Sequence, residues 1–476
     1  MQLARITEKQ LNHETHAYFV IVFAVLVCCL IGIATRPIEY LALLWPANAA
    51  LLALFLRFPH LNNMGGWLGA FSAFMFADLV TGNSLLQSLF LTLSNLISTI
   101  VSIFFIRYFK INYKYYNTGY TFVHLFGIFA FAGCLASAAF AVLTLPNLPN
   151  SFMTKENLWI DFGLWWTGEM VNYIVFLPLI LAFPRIKDMQ YLFKNRRQKR
   201  NYFSYFLPAS SVVACVIITN IFAGPGAMLY PLAALIWAAL TYRLFTMTII
   251  NAFVIILTYY SLTQFYATNH TILADSTIYI SLRIGLFMLA LSPLILCIIS
   301  QNRNELFKRV LYLANHDSLT RTMNRHFFFQ KGEYLLQYAK TMEFSVIMLD
   351  IDYFKRLNDH FGHHVGDKVL QHFAQIVRNN LRAQDLFARI GGEEFVLLLW
   401  NTEPSEARLI AERIRDLVEK TPMHQSDGSP LYITVSVGIT HQNEPQAQDL
   451  QNLINIADQA LYQAKHRGRN QVVLAS

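Results

Sequence analysis

The sequence is poor in cysteine and in charged residues, and each shortage excludes a class of protein. Only 5 of its 476 residues are cysteine, all of them in apolar segments. None has the spacing of a zinc site or a disulfide framework, so neither kind of scaffold is expected. Charged residues make up 14% of the chain and hydrophobic residues 55%, too apolar a balance for a fully soluble protein of this size. The composition therefore predicts membrane-spanning segments.

Acidic residues are scarce in the first part of the chain only. Residues 1–303 carry 18 Lys and Arg against 9 Asp and Glu, whereas residues 304–476 carry 19 against 20. The net charge of +8 therefore belongs to the apolar part, where basic residues set membrane topology rather than mark a nucleic-acid footprint. We expect no nucleic-acid partner.

Long apolar runs follow one another up to residue 300. The candidate spans are 17–35, 40–58, 65–81, 85–107, 120–145, 158–183, 205–222, 226–241, 246–267 and 277–300. Two of these ten, 65–81 and 226–241, are short and contain Gly or Pro, so eight or nine spans is the alternative. The first run lacks a small-residue cleavage site and precedes further spans, which indicates a retained helix rather than a signal peptide.

The basic residues predict how the chain crosses the membrane. With a cytoplasmic N-terminus, the inner loops hold nearly all of them, including seven in residues 185–200. The outer loops hold only Arg36 and Lys155. This asymmetry predicts a multi-pass protein of the inner, cytoplasmic membrane, with its N-terminus and C-terminal domain in the cytoplasm.

The C-terminal part alternates between helical and strand patterns. We predict helices over 324–341, 364–382, 405–420 and 449–466, strands over 344–350, 431–440 and 470–474, and a hairpin over 385–400. This order fits a ferredoxin-like β-α-β-β-α-β core with additions. The predicted fold is an α-helical polytopic membrane domain (1–300), a helical linker (301–316) and an α+β cytoplasmic domain (317–476).

Two acidic motifs lie at the ends of predicted strands. Asp350 and Asp352 end the first strand and, two residues apart, point to the same face. The hairpin turns at Gly391-Gly392 and carries Glu393 and Glu394 side by side. Adjacent like charges repel unless a cation or a polarised ligand binds there, and such oxygens suit Mg²⁺. The alternative for this turn alone is a solvated loop with two surface glutamates.

Further motif residues are distributed over the C-terminal part. They are Asp317, Leu319, Thr320, Asn324, Arg325, Tyr353, Phe354, Lys355, Asn358, Phe361, Gly362, His363, Gly366, Asp367, Ser436, Val437, Gly438, Ala457, Asp458, Ala460, Leu461, Tyr462, Ala464, Lys465, Gly468, Arg469 and Asn470. With the acidic motifs, they make residues 316–476 similar to the GGDEF family of diguanylate cyclases. Arg321 and Thr322 depart from the family's usual Gly and Leu, outside the catalytic motifs.

The resemblance implies a palm-like fold, as in nucleotidyl cyclases, and a reaction that joins two GTP molecules into cyclic di-GMP with release of two pyrophosphates. It implies two Mg²⁺ ions in each site, with Mn²⁺ as the alternative ion. By resemblance, Asp350, the Ile351 carbonyl and Glu393 hold the metals, and Glu394 either accepts the proton or orients the hydroxyl. The implied GTP-binding residues are Tyr353, Phe354, Lys355, Asn358, His363, Asp367, Gly391, Gly392, Lys465 and Arg469.

For two pairs within that set, the side-chain chemistry itself also favours binding of GTP. Lys465 and Arg469 are expected at i and i+4 near the end of the last helix, as a cationic pair for phosphates. Asn358 and Asp367 suit a guanine edge, because a carboxylate accepts from N–H groups that adenine lacks.

A possible product site precedes the Gly-Gly turn. In the family, an Arg-x-x-Asp at the offset of Arg382 and Asp385 binds the product, cyclic di-GMP, and inhibits. Arg413 is expected to add a contact across a dimer. Outside this context the same spacing is a common surface pair. Because each protomer holds one GTP, the resemblance also implies a face-to-face homodimer.

The membrane part resembles the MASE-type sensor regions that precede such cyclases. The residues that carry this resemblance are Trp45, Pro46, Ala47, Asn48, Ala49, Ala50, Trp165, Trp166 and Pro178. It implies a signal-input role with an unknown sensory ligand. Ionisable residues within spans, namely Asp78, Asp161, Glu169 and Arg283, are either interhelical polar pairs or functional groups. Our hypothesis is that Glu169, Asn48 and Trp165 line a sensory cavity open to the outer face.

Three alternatives stay open. Leu306, Val310 and Leu313 form an apolar stripe that either pairs with a second copy or packs on its own domain. The C-terminal domain could be a catalytically silent receptor that binds the cyclic dinucleotide through Arg382 and Asp385. The membrane part could belong to a transporter or channel with a regulatory tail.

Overall fold

The structure is a computed structural model that describes residues 2–35, 43–112, 116–118, 121–128, 132–149, 151–184, 202–224, 226–269, 276–338, 343–425, 428–442 and 450–475. The chain forms two compact units, Met1–Asn304 and Glu305–Ser476. Arg36 and the basic run 185–200, which support the predicted orientation, lie outside the described residues.

The first unit is helical. Its helices in the described residues are α1 (Gln2–Ala34), α2 (Ala47–Arg57), α3 (Met64–Val80), α4 (Leu85–Tyr108), α5 (Thr121–Ile128), α6 (Cys134–Thr144), α7 (Leu158–Leu181), α8 (Tyr202–Ile221), α9 (Leu232–Thr241) and α10 (Leu244–Asn269), and α11 (Ser276–Asn315) begins in this unit and continues beyond Asn304. Within the described residues, five helices (α1, α4, α7, α10 and α11) are long and apolar enough to cross a bilayer. Each predicted span contains helix, but the number of crossings stays a prediction.

Two predicted spans differ from the helices observed. In the described residues 43–58 of the span over 40–58, the helix is α2, which begins after Pro46, because proline has no N–H to donate to a preceding turn. In the span over 120–145, the described residues include α5 and α6, and residues 129–131 between them lie outside the described part. Glycines let α3 lie against the backbone of α1, since a Cβ on Gly65 would fall 2.0 Å from the Glu14 carbonyl oxygen. Such close approach is typical of membrane helix pairs.

The second unit is built on a mixed sheet. Its strands are β1 (Met323–Asn324), β2 (Phe344–Ile351), β3 (Leu386–Arg389), β4 (Glu394–Trp400), β5 (Met423–His424), β6 (Pro430–Leu431), β7 (Val435–Gln442) and β8 (Val472–Leu474). The six-stranded sheet has the order β1-β3-β4-β2-β7-β8, and β5 and β6 form a separate pair. Strand β2 is antiparallel to both β4 and β7, so the predicted ferredoxin-like core is present.

Helices cover both faces of this sheet. They are α12 (Arg325–Tyr338), α13 (Phe354–Phe361), α14 (His363–Asn379), α15 (Pro404–Lys420) and α16 (Leu450–His466). Every residue of β2 is buried. Ile347 and Leu349 face one apolar cluster, and Val346 and Met348 face the other. Each such side chain contributes about 1.5–3 kcal/mol, and this burial fixes the register that places the acidic residues at one edge.

The stripe that follows the membrane part is exposed. Leu306, Val310 and Leu313 lie on α11 and are 55–62% exposed. In the part of the chain that the structure describes, the alternative in which this stripe packs on its own domain is therefore wrong.

Candidate active site

The carboxylates of two neighbouring strands meet at one edge of the sheet. Asp350 near the end of β2 lies directly opposite Glu394 at the start of β4. Directly opposite residues of antiparallel strands place their side chains on the same face, with Cβ atoms about 4.5–5.5 Å apart. Glu393 immediately precedes β4, in the turn that joins it to β3. The predicted hairpin therefore brings three carboxylates to one place.

Asp350 is buried and has one cationic neighbour. The Lys465 Nζ atom on α16 lies 2.7 Å from Asp350 Oδ2. Burial raises the pKa of Asp350 to about 6; Lys465 opposes this shift, whereas Glu393 and Glu394 add to it. The edge therefore has more carboxylates than cations, which favours binding of a further cation.

The donor set at this edge fits a magnesium ion. Among the described residues, no three His, Cys, Asp or Glu side chains form a ready-made metal cluster. Mg²⁺ commonly uses one or two carboxylates together with substrate phosphates rather than an all-protein cage. Asp350 and Glu393 supply such carboxylates, and the backbone carbonyl of Ile351, the last residue of β2, is the third predicted ligand.

Asp352 has a different role from the one its spacing predicts. Strand β2 ends at Ile351, and the Asp352 carboxylate points toward the starts of strands β7 and β8. It accepts hydrogen bonds from Thr434 Oγ1 at 2.8 Å, Ser436 Oγ at 2.6 Å and the Asn470 backbone N–H at 3.1 Å. With these partners, Asp352 joins β2 to the ends of β7 and β8 and is a structural residue.

Arg389 holds the Gly-Gly turn. Its guanidinium donates to the carbonyl oxygens of Gly391 and Gly392, at 3.2 and 2.6 Å, and to the Asp317 carboxylate at 3.2 Å. A Cβ on Gly391 would fall 2.5 Å from Glu394 Oε2, whereas one on Gly392 would meet nothing within 4 Å. The turn therefore keeps Gly391 against the carboxylate and leaves Gly392 open to a ligand.

Asp317 is the anchor of this turn, a role that the sequence motif did not reveal. Burial of its carboxyl group acts to raise the pKa, but hydrogen bonds from Thr320 and the charge of Arg389 outweigh it and lower the pKa. The signal was present in the sequence, since Asp317 belongs to the motif set and Arg389 lies two residues before Gly391. Their contact was missed because 72 residues separate them.

The segment after β2 forms a helix that the sequence patterns did not predict. Tyr353 adopts a left-handed backbone conformation, with φ of 57°, and α13 begins at Phe354. Phe354 is buried and Lys355 is exposed. The N-terminal N–H groups of α13 therefore lie beside the acidic edge, where helix N-termini favour phosphate oxygens.

The predicted helical spacing of Lys465 and Arg469 is wrong. Helix α16 ends at His466, and Arg469 lies beyond it with φ of 65°. The Arg469 guanidinium carbon instead lies 4.4 Å from the centre of the Tyr353 ring, and Nη1 is 3.3 Å from the Tyr353 hydroxyl. Gly468, with φ of 115°, breaks the helix. Both cations still lie near the acidic edge, Lys465 through Asp350 and Arg469 through Tyr353.

The predicted guanine-edge residues lie on α13 and α14. Asn358 Oδ1 is buried and has no hydrogen-bond partner in the described part of the chain. A Cβ on Gly366 would fall 1.9 Å from this oxygen, so only glycine leaves it room. His363 begins α14, and Asp367 is exposed one turn later. A buried amide oxygen without a partner fits an N–H group of a ligand.

The predicted product-site residues are also close together. Arg382 donates its backbone N–H to Asp385 Oδ2 at 2.8 Å, and its guanidinium forms an ion pair with Glu406. Burial raises the pKa of Asp385, although Arg382 opposes the shift. Arg413 donates a hydrogen bond of 3.0 Å to the carbonyl oxygen of Asn380, which lies two residues before Arg382 in the sequence. Sequence reasoning missed Glu406, whose exposed position on α15 gave no signal.

Comparison with known proteins assigns both parts of the chain. Residues 314–471 match the family model "Diguanylate cyclase, GGDEF domain", and residues 16–304 match the MASE1 model. The probable diguanylate cyclase DgcF of Escherichia coli K12 is 33% identical over 325 residues, which cover 64% of this chain and 95% of that protein.

The chain belongs to the MASE1–GGDEF diguanylate cyclases.

A longer DgcF, from Escherichia coli O157:H7, is 28% identical to this diguanylate cyclase over 460 residues, or 92% of this chain and 90% of that protein. Solved structures also match the GGDEF domain. The coiled coil and GGDEF domain of DgcB from Caulobacter crescentus, in complex with c-di-GMP, is 30% identical, covers 37% of this chain and 93% of that chain, and gives a TM-score of 0.35.

The cyclase's MASE1 domain brings together the three residues of the cavity hypothesis. Asn48 Nδ2 donates to Glu169 Oε1 at 2.7 Å, and the Trp165 indole N–H donates to Ser137 Oγ at 2.9 Å. Ser137 in turn donates to Glu169 Oε1 at 3.0 Å. Ser137 was missed because serine is ordinary in a membrane helix. The contact among the three predicted residues is present, and a sensory role stays a prediction.

The other ionisable residues of the MASE1 domain have local explanations. Asp161 lies in the first turn of α7, and its carboxylate accepts from the Thr154 N–H at 3.4 Å. Arg283 donates to the Tyr259 hydroxyl and the Leu164 carbonyl, each at 2.6 Å. Asp78 is buried near the end of α3. Asp161 and Arg283 therefore fit the structural alternative.

Proposed function

We propose that this chain condenses two GTP molecules into cyclic di-GMP and two pyrophosphates. The observation that carries the proposal is the opposition of Asp350 and Glu394 across β2 and β4, beside a Gly-Gly turn that leaves Gly392 open. In the reaction, the 3′-oxygen of each GTP forms a bond to the α-phosphorus of the other. The bond from that phosphorus to the bridging oxygen breaks, and pyrophosphate leaves with the electron pair.

The carboxylates divide into two roles. Asp350, Glu393 and the Ile351 carbonyl would hold the metal ions, and Mg²⁺ supplies charge neutralisation of the triphosphate and acidifies the attacking hydroxyl. Glu394 takes the proton of the 3′-hydroxyl as general base. Its side chain is held against Gly391, and the arginine-anchored turn fixes its direction. A fixed geometry matters because positioning supplies much of the rate in phosphoryl transfer.

The remaining residues bind and orient the nucleotide. The N–H groups from Tyr353 to Lys355 at the start of α13 face the phosphates, and Lys465 and Arg469 add positive charge. The Lys465 ammonium group, which pairs with Asp350 at 2.7 Å, would exchange this partner for the β- and γ-phosphates. Asn358 accepts from the guanine edge through its unpartnered oxygen, and Asp367 and His363 complete that pocket.

Product control and dimerisation belong to the same proposal. Arg382, Asp385 and Arg413 form the inhibitory site for cyclic di-GMP, with Arg382 exchanging Glu406 for a phosphate or a guanine edge. The exposed stripe of Leu306, Val310 and Leu313 pairs two copies, and each copy brings one GTP. The MASE1 domain controls this pairing from the inner membrane, with the catalytic domain in the cytoplasm, where GTP is available.

The test compares turnover with binding. The catalytic fragment, residues 301–476, is incubated with GTP and Mg²⁺, and cyclic di-GMP is quantified by chromatography. We expect product from the wild type and none from Asp350→Ala or Glu393→Ala. If the wild type binds cyclic di-GMP without forming product under conditions that keep it dimeric, the chain is a silent receptor and the proposal fails.

A further inference from the structure

Four helices of the MASE1 domain enclose a polar cluster in an otherwise apolar core. Asn48 on α2, Asn95 on α4, Ser137 on α6 and Glu169 on α7 are each at most 8% exposed. The Asn48 amide nitrogen donates to both Asn95 Oδ1 at 3.0 Å and Glu169 Oε1 at 2.7 Å. Ser137 donates to the same carboxylate oxygen. The cluster therefore joins all four helices around Glu169.

Two oxygens of this cluster have no hydrogen-bond partner. By hydrogen-bond geometry, Glu169 Oε2 and Asn48 Oδ1 are both buried and unpartnered in the described part of the chain, although the Ser98 hydroxyl and the Cys134 thiol also lie beside the carboxylate. The amide orientation of Asn48 is fixed, because its nitrogen already serves two acceptors. Both unpartnered atoms are therefore oxygens, which can accept a hydrogen bond or bind a cation. A buried acceptor without a donor costs about 1–3 kcal/mol, so the arrangement favours a ligand that supplies donors or positive charge.

The carboxylate also lacks a cation. In the ranges that the structure describes, Glu169 has hydrogen bonds but no ion pair with Lys or Arg. Arg283 is a buried base of the same domain, but its guanidinium is engaged by the Tyr259 hydroxyl and the Leu164 carbonyl. An ionised carboxylate with only neutral donors is costly in a membrane interior, and either a proton or a bound counter-charge relieves that cost.

A polar stripe leads from the end of α4 to this cluster. Ser88, Thr92 and Asn95 recur at helical spacing on one face of α4, and all three are buried. The Ser88 and Thr92 hydroxyl oxygens have no hydrogen-bond partner among the described residues. The stripe begins one turn after Ser84, whose hydroxyl caps the helix by accepting from Gln87 N–H.

We propose that this cluster is a binding site for a small monovalent cation, held by Glu169 Oε2 and Asn48 Oδ1. The ligand is either an alkali metal ion or a small protonated amine, which share the positive charge that these oxygens lack. The site is independent of the catalytic domain, and it gives the MASE1 domain a stated ligand chemistry. Its test therefore uses binding and not cyclase output.

The experiment measures thermal unfolding of the full-length protein purified in detergent micelles. Sodium chloride, ammonium chloride and methylammonium chloride are titrated separately, with N-methyl-D-glucamine chloride as the bulky-cation baseline at equal ionic strength. We expect at least one small cation to raise the unfolding midpoint of the wild type above that baseline. A rise with sodium alone identifies a metal site, and a rise with ammonium or methylammonium identifies an amine site.

Two variants and a control make the result specific. Glu169→Gln removes the charge at constant size. It should raise the cation concentration that gives half of the stabilisation about tenfold or more, because a loss of 1.4 kcal/mol in binding free energy is tenfold in affinity. Asn48→Ala, which keeps the carboxylate, provides a second test should Glu169→Gln fail to fold. Asp161→Asn changes a carboxylate on the same helix outside the cluster and should respond as the wild type does. The proposal is overturned if no small cation stabilises the wild type, or if Glu169→Gln retains the full response.

Discussion

The catalytic edge and the membrane cluster both bury carboxylates, but they satisfy them in different ways. Asp350 has Lys465 at 2.7 Å, and Asp352 accepts three hydrogen bonds from its own domain. One oxygen of Glu169 accepts from the neutral donors Asn48 and Ser137, and the other has no hydrogen-bond partner among the described residues. The GGDEF domain therefore supplies internal partners for its buried acids before any ligand binds. The MASE1 domain leaves one acid to be completed by a ligand.

The largest effect is expected from breaking the catalytic edge. Glu394→Gln removes the general base and should lower turnover about 10³-fold, within the range of such catalysis, while the fold is retained. The measurement is cyclic di-GMP formation by the dimeric protein. Asp359→Asn, an exposed carboxylate on α13, is the matched control and should keep its activity. If Glu394→Gln were as active as the control, Glu394 would not be the general base.

A second prediction separates Asp352 from Asp350. Asp352→Ala leaves three donors without their acceptor and should destabilise the catalytic domain by about 3 kcal/mol. The measurement is the urea midpoint of the catalytic fragment, where an exposed substitution, Glu333→Ala, serves as the control. Asp350→Asn should destabilise much less, because its burial is already costly. If Asp352→Ala were as stable as the control, its hydrogen bonds would not hold β2 to β7.

A smaller effect is expected for Arg382, on inhibition by the product rather than on turnover. Arg382→Ala removes the bidentate donor of the proposed product site, so inhibition by added cyclic di-GMP should weaken about tenfold. Its exposed ion pair with Glu406 contributes at most about 1 kcal/mol, so stability should change little. The measurement is the inhibition curve for cyclic di-GMP. Arg408→Ala, on the same helix as Glu406, should be inhibited like the wild type; similar curves for both variants would contradict the site.

The smallest expected effect is a pH dependence at Asp317. Its folded pKa is lowered from 3.8, so its ionised form stabilises the fold above the unfolded pKa, and this contribution is lost as the pH falls through the folded pKa. Wild type should therefore be more stable than Asp317→Asn near neutral pH, and the two should converge below pH 3.8. Urea unfolding of the catalytic fragment at several pH values measures this. A difference that grows with acidity would contradict the lowered pKa.

The sequence predicted the parts of the site that depend on strand ends and motif residues. The opposition of Asp350 and Glu394 follows from an apolar strand and a Gly-Gly hairpin that share one sheet. The contact of Arg389 with Asp317 and the hydrogen bonds that Asp352 accepts near β7 and β8 were not predictable, because they join residues far apart in sequence. Helix α13 was missed because its residues are mostly polar and the left-handed Tyr353 that starts it has no strong sequence signal.

For the membrane half, the sequence predicted where helices lie but not their contacts. Composition located ten helical segments, and the rarity of charge within spans singled out Glu169. It did not reveal Ser137 or Asn95, because small polar residues are common in membrane helices. It also did not reveal that α2 is short, since an apolar run shows where helix is allowed but not where it starts.

The most direct test of the central claim is binding of GTP to the purified, dimeric full-length protein by equilibrium dialysis, with Mg²⁺ and with a chelator in its place. The account predicts one GTP bound per chain with Mg²⁺, and a large loss of binding with the chelator or in Asp350→Asn. Failure of the wild type to bind GTP in the presence of Mg²⁺ would contradict the assignment of the acidic edge.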